Sequence, residues 1–384
     1  MNVEDFTEIF SQLDFLCLTM PRKTAENFLS FVFGLILASE NSINRMADLF
    51  DGELHQSTLN RFLTTCSIST AKLLECYRNW LASLPTSTEP IYCIIDDSTL
   101  HKSGKLLPGA HYDYDHTNNA VCWGQKVVIC LLKSAGKEFP FGIELYEKFA
   151  KNFRSKIDWA NELIADVLKY FPTGNIIVLF DSWYCCIKLI EKLPAGIGWV
   201  SKLRRNRLIR VGVGGHWMPL KEFIRGVKSW EYRKATVDGK AYWCYETLAE
   251  VKNLGTVKLV LTKISRHARR VSAVLVTNMT DKRMGELICH FSQRWCIETC
   301  IRTAKQSLGF ESCMVRSKKA LRRYWFLLML AYALLSHLKK SVISKAKTLG
   351  DVISYLKKSF SKLREGFFYL IKYHVSEIFA KAYC

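Results

Sequence analysis

The stretch Ile91-Tyr-Cys-Ile-Ile-Asp-Asp-Ser-Thr-Leu-His-Lys-Ser-Gly-Lys105 decides how the chain is read. Five apolar or aromatic residues, Ile91 to Ile95, favour a strand, and they end on two carboxylates, Asp96 and Asp97. A charge at the end of a buried strand is costly without a partner. A second run, Ile176 to Phe180, ends in the same way on Asp181. If the two strands are neighbours in one sheet, their carboxylates converge at a common edge. Two or three such groups suit Mg²⁺, a hard ion that takes oxygen ligands and keeps several waters. The local alternative is a cap: Asp181 can begin a helix near Ser182.

Around these two stretches the chain alternates. Val121 to Leu132, Phe139 to Leu145 and Gly198 to Leu203 read as further strands. Residues 154–171 carry apolar side chains at helical spacing through Ile157, Ala160, Leu163, Ile164, Val167 and Leu168. The pattern predicts a mixed sheet with helices packed on it. Residues 207–280 are rich in Val, Trp, Tyr and Thr, with turns at Gly214-Gly215 and Asp238-Gly239, and read as a β-rich insertion. Helical character returns from Asp281 to Leu308. The expected division is a helical N-terminal region (1–88), a core (89–206), the insertion (207–280), a returning core helix (281–314) and a basic helical C-terminal region (315–384). Thr86 to Pro90 reads as a linker between the first two.

Hydrophobic residues make up 49% of the 384, enough for a sizeable core and too many for bulk disorder. Trp325 to Ser336 is apolar but shorter than the roughly 20 residues a membrane helix needs, so it reads as buried. Met1 to Asp14 lacks the basic and apolar pattern of an export signal, which gives a soluble intracellular reading with reduced thiols. Cys289, His290, Cys296 and Cys300 fit no common zinc spacing and read as packing residues. The His111-Tyr-Asp-Tyr-Asp-His116 stretch reads as turn and strand-edge residues near DNA.

The formal charge is +20, and it is uneven. Residues 1–90 hold 6 basic and 11 acidic side chains, residues 91–314 hold 34 and 21, and residues 315–384 hold 15 and 3. A field this positive attracts polyanions, of which nucleic acid is the commonest inside cells.

A third carboxylate lies in Phe291-Ser-Gln-Arg-Trp-Cys-Ile-Glu-Thr-Cys-Ile-Arg-Thr-Ala-Lys305. On a continuous helix Arg294, Glu298 and Lys305 share one stripe, with Phe291 and Arg302 close by. Two readings stand: an exposed Arg–Glu pair one turn apart, or a metal-facing carboxylate with cations above and below it.

Taken together, these residues resemble the DDE-type insertion-sequence transposases, whose helix signature is Tyr, two residues, Arg, three residues, Glu, six residues, Lys. Phe291, Arg294, Glu298 and Lys305 match that spacing, with phenylalanine in place of tyrosine. Asp96-Asp-Ser-Thr followed by Lys102-Ser-Gly-Lys105 is similar to the family's first block, and Phe180-Asp-Ser-Trp-Tyr184 to its second. The resemblance implies a ribonuclease H-like α/β core, a mixed sheet with flanking helices interrupted by a β-rich insertion. It implies Asp96, Asp181 and Glu298 as catalytic metal ligands, with Asp97 as the fallback for Asp96. It further implies Mg²⁺, with Mn²⁺ able to substitute, and cleavage and strand transfer at the ends of a mobile element. Expected DNA contacts are Arg294, Lys305, Lys102, Lys105, Arg302, Trp183, Tyr184 and Trp295. The implied partners are double-stranded DNA and a second copy in a synaptic homodimer, in a bacterial-type cytoplasm at the nucleoid. An inactive DNA-binding descendant and another ribonuclease H-like two-metal nuclease are the alternatives.

Overall fold

The computed structural model describes residues 3–84, 89–115, 118–172, 175–212, 214–341 and 346–383. Most of the expected Thr86–Pro90 linker, and His116, lie outside the described residues. Twelve strands form one sheet: β1 (Ile91–His101), β2 (His111–Asp115), β3 (Ala120–Ser134), β4 (Lys137–Tyr146), β5 (Ile176–Phe180), β6 (Gly198–Lys202), β7 (Leu208–Arg210), β8 (Met218–Pro219), β9 (Arg233–Val237), β10 (Lys240–Val251), β11 (Gly255–Lys263) and β12 (Ala273–Thr277). Their order is β2-β3-β1-β5-β6-β12-β11-β10-β7-β8, with β4 on β3 and β9 on β10.

Within this sheet, β4-β3-β1-β5-β6 is the arrangement of a ribonuclease H-like core. β3 runs antiparallel to both β1 and β4, whereas β1, β5 and β6 are parallel. All five residues of β5 are buried, as a parallel strand covered on both faces requires. The helix Lys156–Tyr170 covers one face through Ile157, Ala160, Leu163, Ile164 and Val167. Its start is fixed by a capping box, in which the Asp158 N–H donates to Ser155 Oγ (3.2 Å) and the Ser155 N–H donates to Asp158 Oδ2 (2.8 Å). Gly142 on β4 lets this helix approach closely, because a Cβ there would run into Leu163.

Two boundaries differ from the sequence reading. β1 does not stop at Ile95 but runs six residues further, to His101, because Asp96 to His101 stay paired with Ile129 to Gly124 of β3. The returning helix is two helices, Met284–Ser292 and Trp295–Ser307, joined through Gln293 and Arg294.

The N- and C-terminal helices pack into one body against the β4 side of the sheet. Arg22–Leu37 is buried along most of its length and lies against Lys318–Ser341 and Phe367–Tyr383. Phe6, Phe10, Phe33 and Phe367 meet edge to face at its centre, with Phe10 and Phe33 ring centroids 4.8 Å apart. Arg323 is buried and donates to the carbonyls of Phe62, Leu63, Cys66 and Ile68, which closes the end of the Gln56–Thr64 helix. The apolar run from Trp325 is buried on all sides, and among the described side chains the exposed cations of this helix are at its start, at Lys318, Lys319 and Arg322. No helix among the described residues is long and apolar enough to cross a membrane.

Candidate active site

The core sheet brings the two strand-borne aspartates together. Ile95 of β1 pairs with Phe180 of β5 in parallel register, so Asp96 and Asp181 are the next residues on neighbouring strands. Asp96 Oδ1 accepts from the Asp97 N–H at 2.9 Å, and its Oδ2 lies 3.3 Å from Arg294 Nη1. Burial raises the Asp96 carboxyl to about 6; the charges of Asp97 and Asp181 push the same way, while the Asp97 N–H and Arg294 oppose them. Asp181 faces the same cleft, with Ser182 Oγ 3.5 Å from its Oδ2. No cap of a helix at Ser182 forms, since the next helix is Ile187–Ile190.

Asp97 points to different partners. Lys156 Nζ, from the first turn of its helix, sits 2.9 Å from Asp97 Oδ2, and the Tyr184 hydroxyl donates to Oδ1 at 3.1 Å. The same ammonium lies 4.0 Å from the Trp183 ring centroid. A lysine and a tyrosine therefore anchor Asp97, and the indole packs on that lysine, whereas Asp96 is turned toward the Arg294 side.

Arg294 joins the third carboxylate to the first. Its guanidinium forms ion pairs with both Asp96 and Glu298, which come from β1 and from the Trp295–Ser307 helix. The Arg294 side chain is only 9% exposed, which removes the reading of a solvated surface pair. Phe291 lies beside it, ring centroid 5.7 Å from the guanidinium carbon. A cleft of about 700 Å³ opens over Asp96, Asp97 and Asp181, with Lys305, Arg204 and Glu311 on its walls. Neither Arg294 nor Glu298 lines this cleft; the shared guanidinium links Glu298 to Asp96 on its wall.

The cations expected to contact DNA divide into two groups. Lys305 Nζ donates to the Thr99 carbonyl at 2.6 Å and pairs with Glu311 at 3.0 Å, which ties the helix to β1 at the cleft wall. Lys102 is buried and donates to the carbonyls of Glu311 (2.7 Å) and Cys313 (3.0 Å). Burial also lowers its pKa. Lys105 and Arg302 are exposed, Arg302 reaching back to Thr299 Oγ1 at 3.5 Å. Trp183 and Trp295 present open rings, 42% and 59% exposed. Tyr184 does not, because its ring is buried and its hydroxyl serves Asp97. Lys102 and Tyr184 are thus internal supports of the site, not surfaces open to a nucleic acid.

Sequence reasoning missed Lys156 and Glu311. Lys156 reads as one more helix-start lysine, and nothing local aims it at Asp97. Glu311 follows Gly309, which ends the helix with φ of 71°, and its Oε1 accepts from the His101 N–H at 3.2 Å. Asp96, Asp181 and Glu298 offer only oxygen donors, the set a hard divalent cation takes. One guanidinium shared by two carboxylates leaves negative charge that such a cation would offset.

No curated protein matches the chain. Two family models do. That of the transposase DDE domain matches residues 148–334, a span holding Asp181 and Glu298. That of the DDE superfamily endonucleases matches residues 15–216, more than half of the chain and a span holding Asp96 and Asp181. The chain belongs to the DDE superfamily of endonucleases and transposases.

Proposed function

We propose that the chain is the transposase of a mobile element, which binds the element's ends and carries out Mg²⁺-dependent phosphodiester cleavage and strand transfer. Asp96, Asp181 and Glu298 are the residues that would hold the metal, with Mn²⁺ able to replace Mg²⁺. The observation that carries the reading is Arg294, one buried cation held between carboxylates from β1 and from the Trp295–Ser307 helix, beside the Asp181 strand end. Held by these three carboxylates, Mg²⁺ would supply Lewis-acid polarisation of a phosphodiester oxygen and would lower the pKa of an attacking water or hydroxyl.

The chain's own residues prepare that step. Burial pushes the Asp96 carboxyl up to about 6, and a bound dication would favour its ionised form. Lys156 and Tyr184 fix Asp97, so the adjoining backbone N–H stays directed at Asp96 Oδ1. Arg294 balances Asp96 and Glu298 and offers a fork suited to phosphate oxygens, with Phe291 packing where the family signature has tyrosine. Lys305 adds a point charge at the cleft wall, Lys105 and Arg302 add exposed cations, and Trp183 and Trp295 offer rings on which an unpaired base can stack.

Double-stranded DNA is the partner this charge and family favour, with a homodimer in the synaptic complex and a place at the nucleoid. The helical body made by residues 1–88 and 315–384 is assigned to holding element ends, the β-rich insertion 207–280 to the flank of the core, and 281–314 to presenting Glu298. The test is cleavage of a labelled element-end duplex beside a binding measurement. Asp96→Asn, Asp181→Asn and Glu298→Gln should each abolish Mg²⁺-dependent cleavage and keep binding. Normal cleavage by Asp96→Asn with loss in Asp97→Asn would move the ligand to Asp97. Binding without cleavage by the wild-type chain would make it an inactive descendant.

A further inference from the structure

Away from the acidic centre, three side chains of mixed chemistry meet at the far end of the cleft. His101 ends β1, Asp115 ends β2 and Cys122 lies near the start of β3. β3 runs between the other two: His101 pairs with Gly124, and Cys122 is two residues back on the same face. Gly124 itself carries no side chain to fill the space between them. One donor atom from each of the three residues lies within 4.8 Å of the others, and His101 Nε2 is 3.0 Å from Asp115 Oδ2. The Asp115 side chain is 8% exposed, while the His101 side chain is 40% exposed and opens to the cleft. Asn118 completes the group: its amide donates to Asp115 Oδ2 at 2.9 Å and lies 3.2 Å from His101 Nε2.

We infer that His101, Asp115 and Cys122 form a second metal site, for a borderline transition-metal dication such as Zn²⁺, separate from the carboxylate centre. The donor set makes the distinction. Mg²⁺ takes oxygen ligands in octahedral geometry, whereas imidazole and thiolate together with one carboxylate suit tetrahedral Zn²⁺. His101 lies five positions along β1 from Asp96, about 16 Å at about 3.3 Å per residue, and the two sites share no ligand. Three protein ligands leave the fourth position to a solvent oxygen in the cleft, and Asn118 must give up its place beside His101 Nε2. Binding converts the Cys122 thiol to a thiolate and releases one proton. Burial and the Asp115 carboxylate raise the Cys122 thiol above its ordinary value, so without metal it stays protonated. The bound ion would fasten the ends of three strands, its two charges balanced by the Cys122 thiolate and the Asp115 carboxylate.

The experiment uses the full chain, stripped with chelator and reloaded with Zn²⁺ or with Co²⁺ as a coloured probe. Wild type should retain one Zn²⁺ per chain through gel filtration, and its Co²⁺ form should show a thiolate-to-metal band in the near ultraviolet. Cys122→Ser should lose that band, and both Cys122→Ser and His101→Ala should bind Zn²⁺ at least tenfold more weakly. Asp96→Asn and Cys296→Ser should keep it. Far-ultraviolet circular dichroism of the metal-free variants checks that each is folded, and Cys122→Ser carries the test if His101→Ala is not. Zn²⁺ retained at wild-type affinity by Cys122→Ser, lost from Asp96→Asn, or not bound by wild type overturns the inference. The readout needs no cleavage, so it stands or falls apart from the transposase reading.

Discussion

Asp96→Asn should make the metal-free chain more stable at neutral and alkaline pH while destroying its proposed activity. The Asp96 carboxyl titrates at about 6 in the folded chain against an ordinary value of 3.8. A raised carboxyl favours folding only while it is protonated. Its contribution is fully present below pH 3.8, falls away between there and pH 6, and is absent above. The integrated difference is about 3 kcal/mol, an order-of-magnitude figure from about 1.4 kcal/mol per pH unit. Asparagine keeps the oxygen that accepts from the Asp97 N–H but carries no charge at any pH, so it escapes this loss. The value of about 6 already includes the favourable charge of Arg294, so loss of that ion pair is no separate deduction from the gain. The measurable quantity is the difference in urea unfolding free energy between variant and wild type, followed from pH 4 to pH 8. That difference should move in favour of Asn by about 2–3 kcal/mol, with the change centred between pH 4 and 6. Mg²⁺ at millimolar concentration should then narrow it, because only the wild type gains by binding. A difference that stays constant with pH, or moves against Asn, would refute the claim that Asp96 is held ionised against its surroundings.

Arg294→Ala should be costly to the fold, by about 3 kcal/mol at pH 8, because two carboxylates lose one shared, buried cation; thermal unfolding with and without Mg²⁺ checks this. Tyr184→Phe removes one hydrogen bond to Asp97 and should cost about 1 kcal/mol in urea unfolding, with cleavage reduced far less than by Asp96→Asn. Lys102→Ala should destabilise by about 2 kcal/mol and leave the salt dependence of DNA binding unchanged, since its ammonium serves two carbonyls. Lys105→Ala should do the reverse, lowering the slope of log affinity against log salt by about 0.9 with no change in unfolding.

Much of the core was legible because its strands are apolar runs bounded by charge. Ile176–Phe180 was read to the residue, and the convergence of Asp96 with Asp181 follows once β1 and β5 are neighbours. The second half of β1 was not legible, since Asp96, Asp97, Ser98 and His101 look like loop residues; only their pairing with β3 keeps them extended. The break at Gln293–Arg294 carries no glycine or proline to announce it. Long cations hid their destinations. Lys102 and Lys105 differ by three positions and look alike in sequence, yet one is buried on carbonyls and the other exposed, because only Lys102 faces the Glu311–Cys313 turn. Burial of Arg294 was equally invisible, for it depends on Asp96, 198 residues earlier. The division into five regions rests on pattern alone, and the sheet itself runs unbroken from core to insertion.

That continuity bears on how such a chain tolerates editing. β12 pairs along β6 through Leu275–Lys202, Val276–Ser201 and Thr277–Val200, so the inserted strands cover what is otherwise the raw margin of the catalytic sheet. A trimmed protein lacking 207–280 would present the unsatisfied N–H and C=O groups of β6 to any passing strand, an invitation to fibre-like stacking. The outer margin, at β8 and β9, has no such duty and is where length can be added or removed without the catalytic strands registering it. Lineages of this fold should therefore vary by accretion at that distant rim, and keep the strand that shields β6.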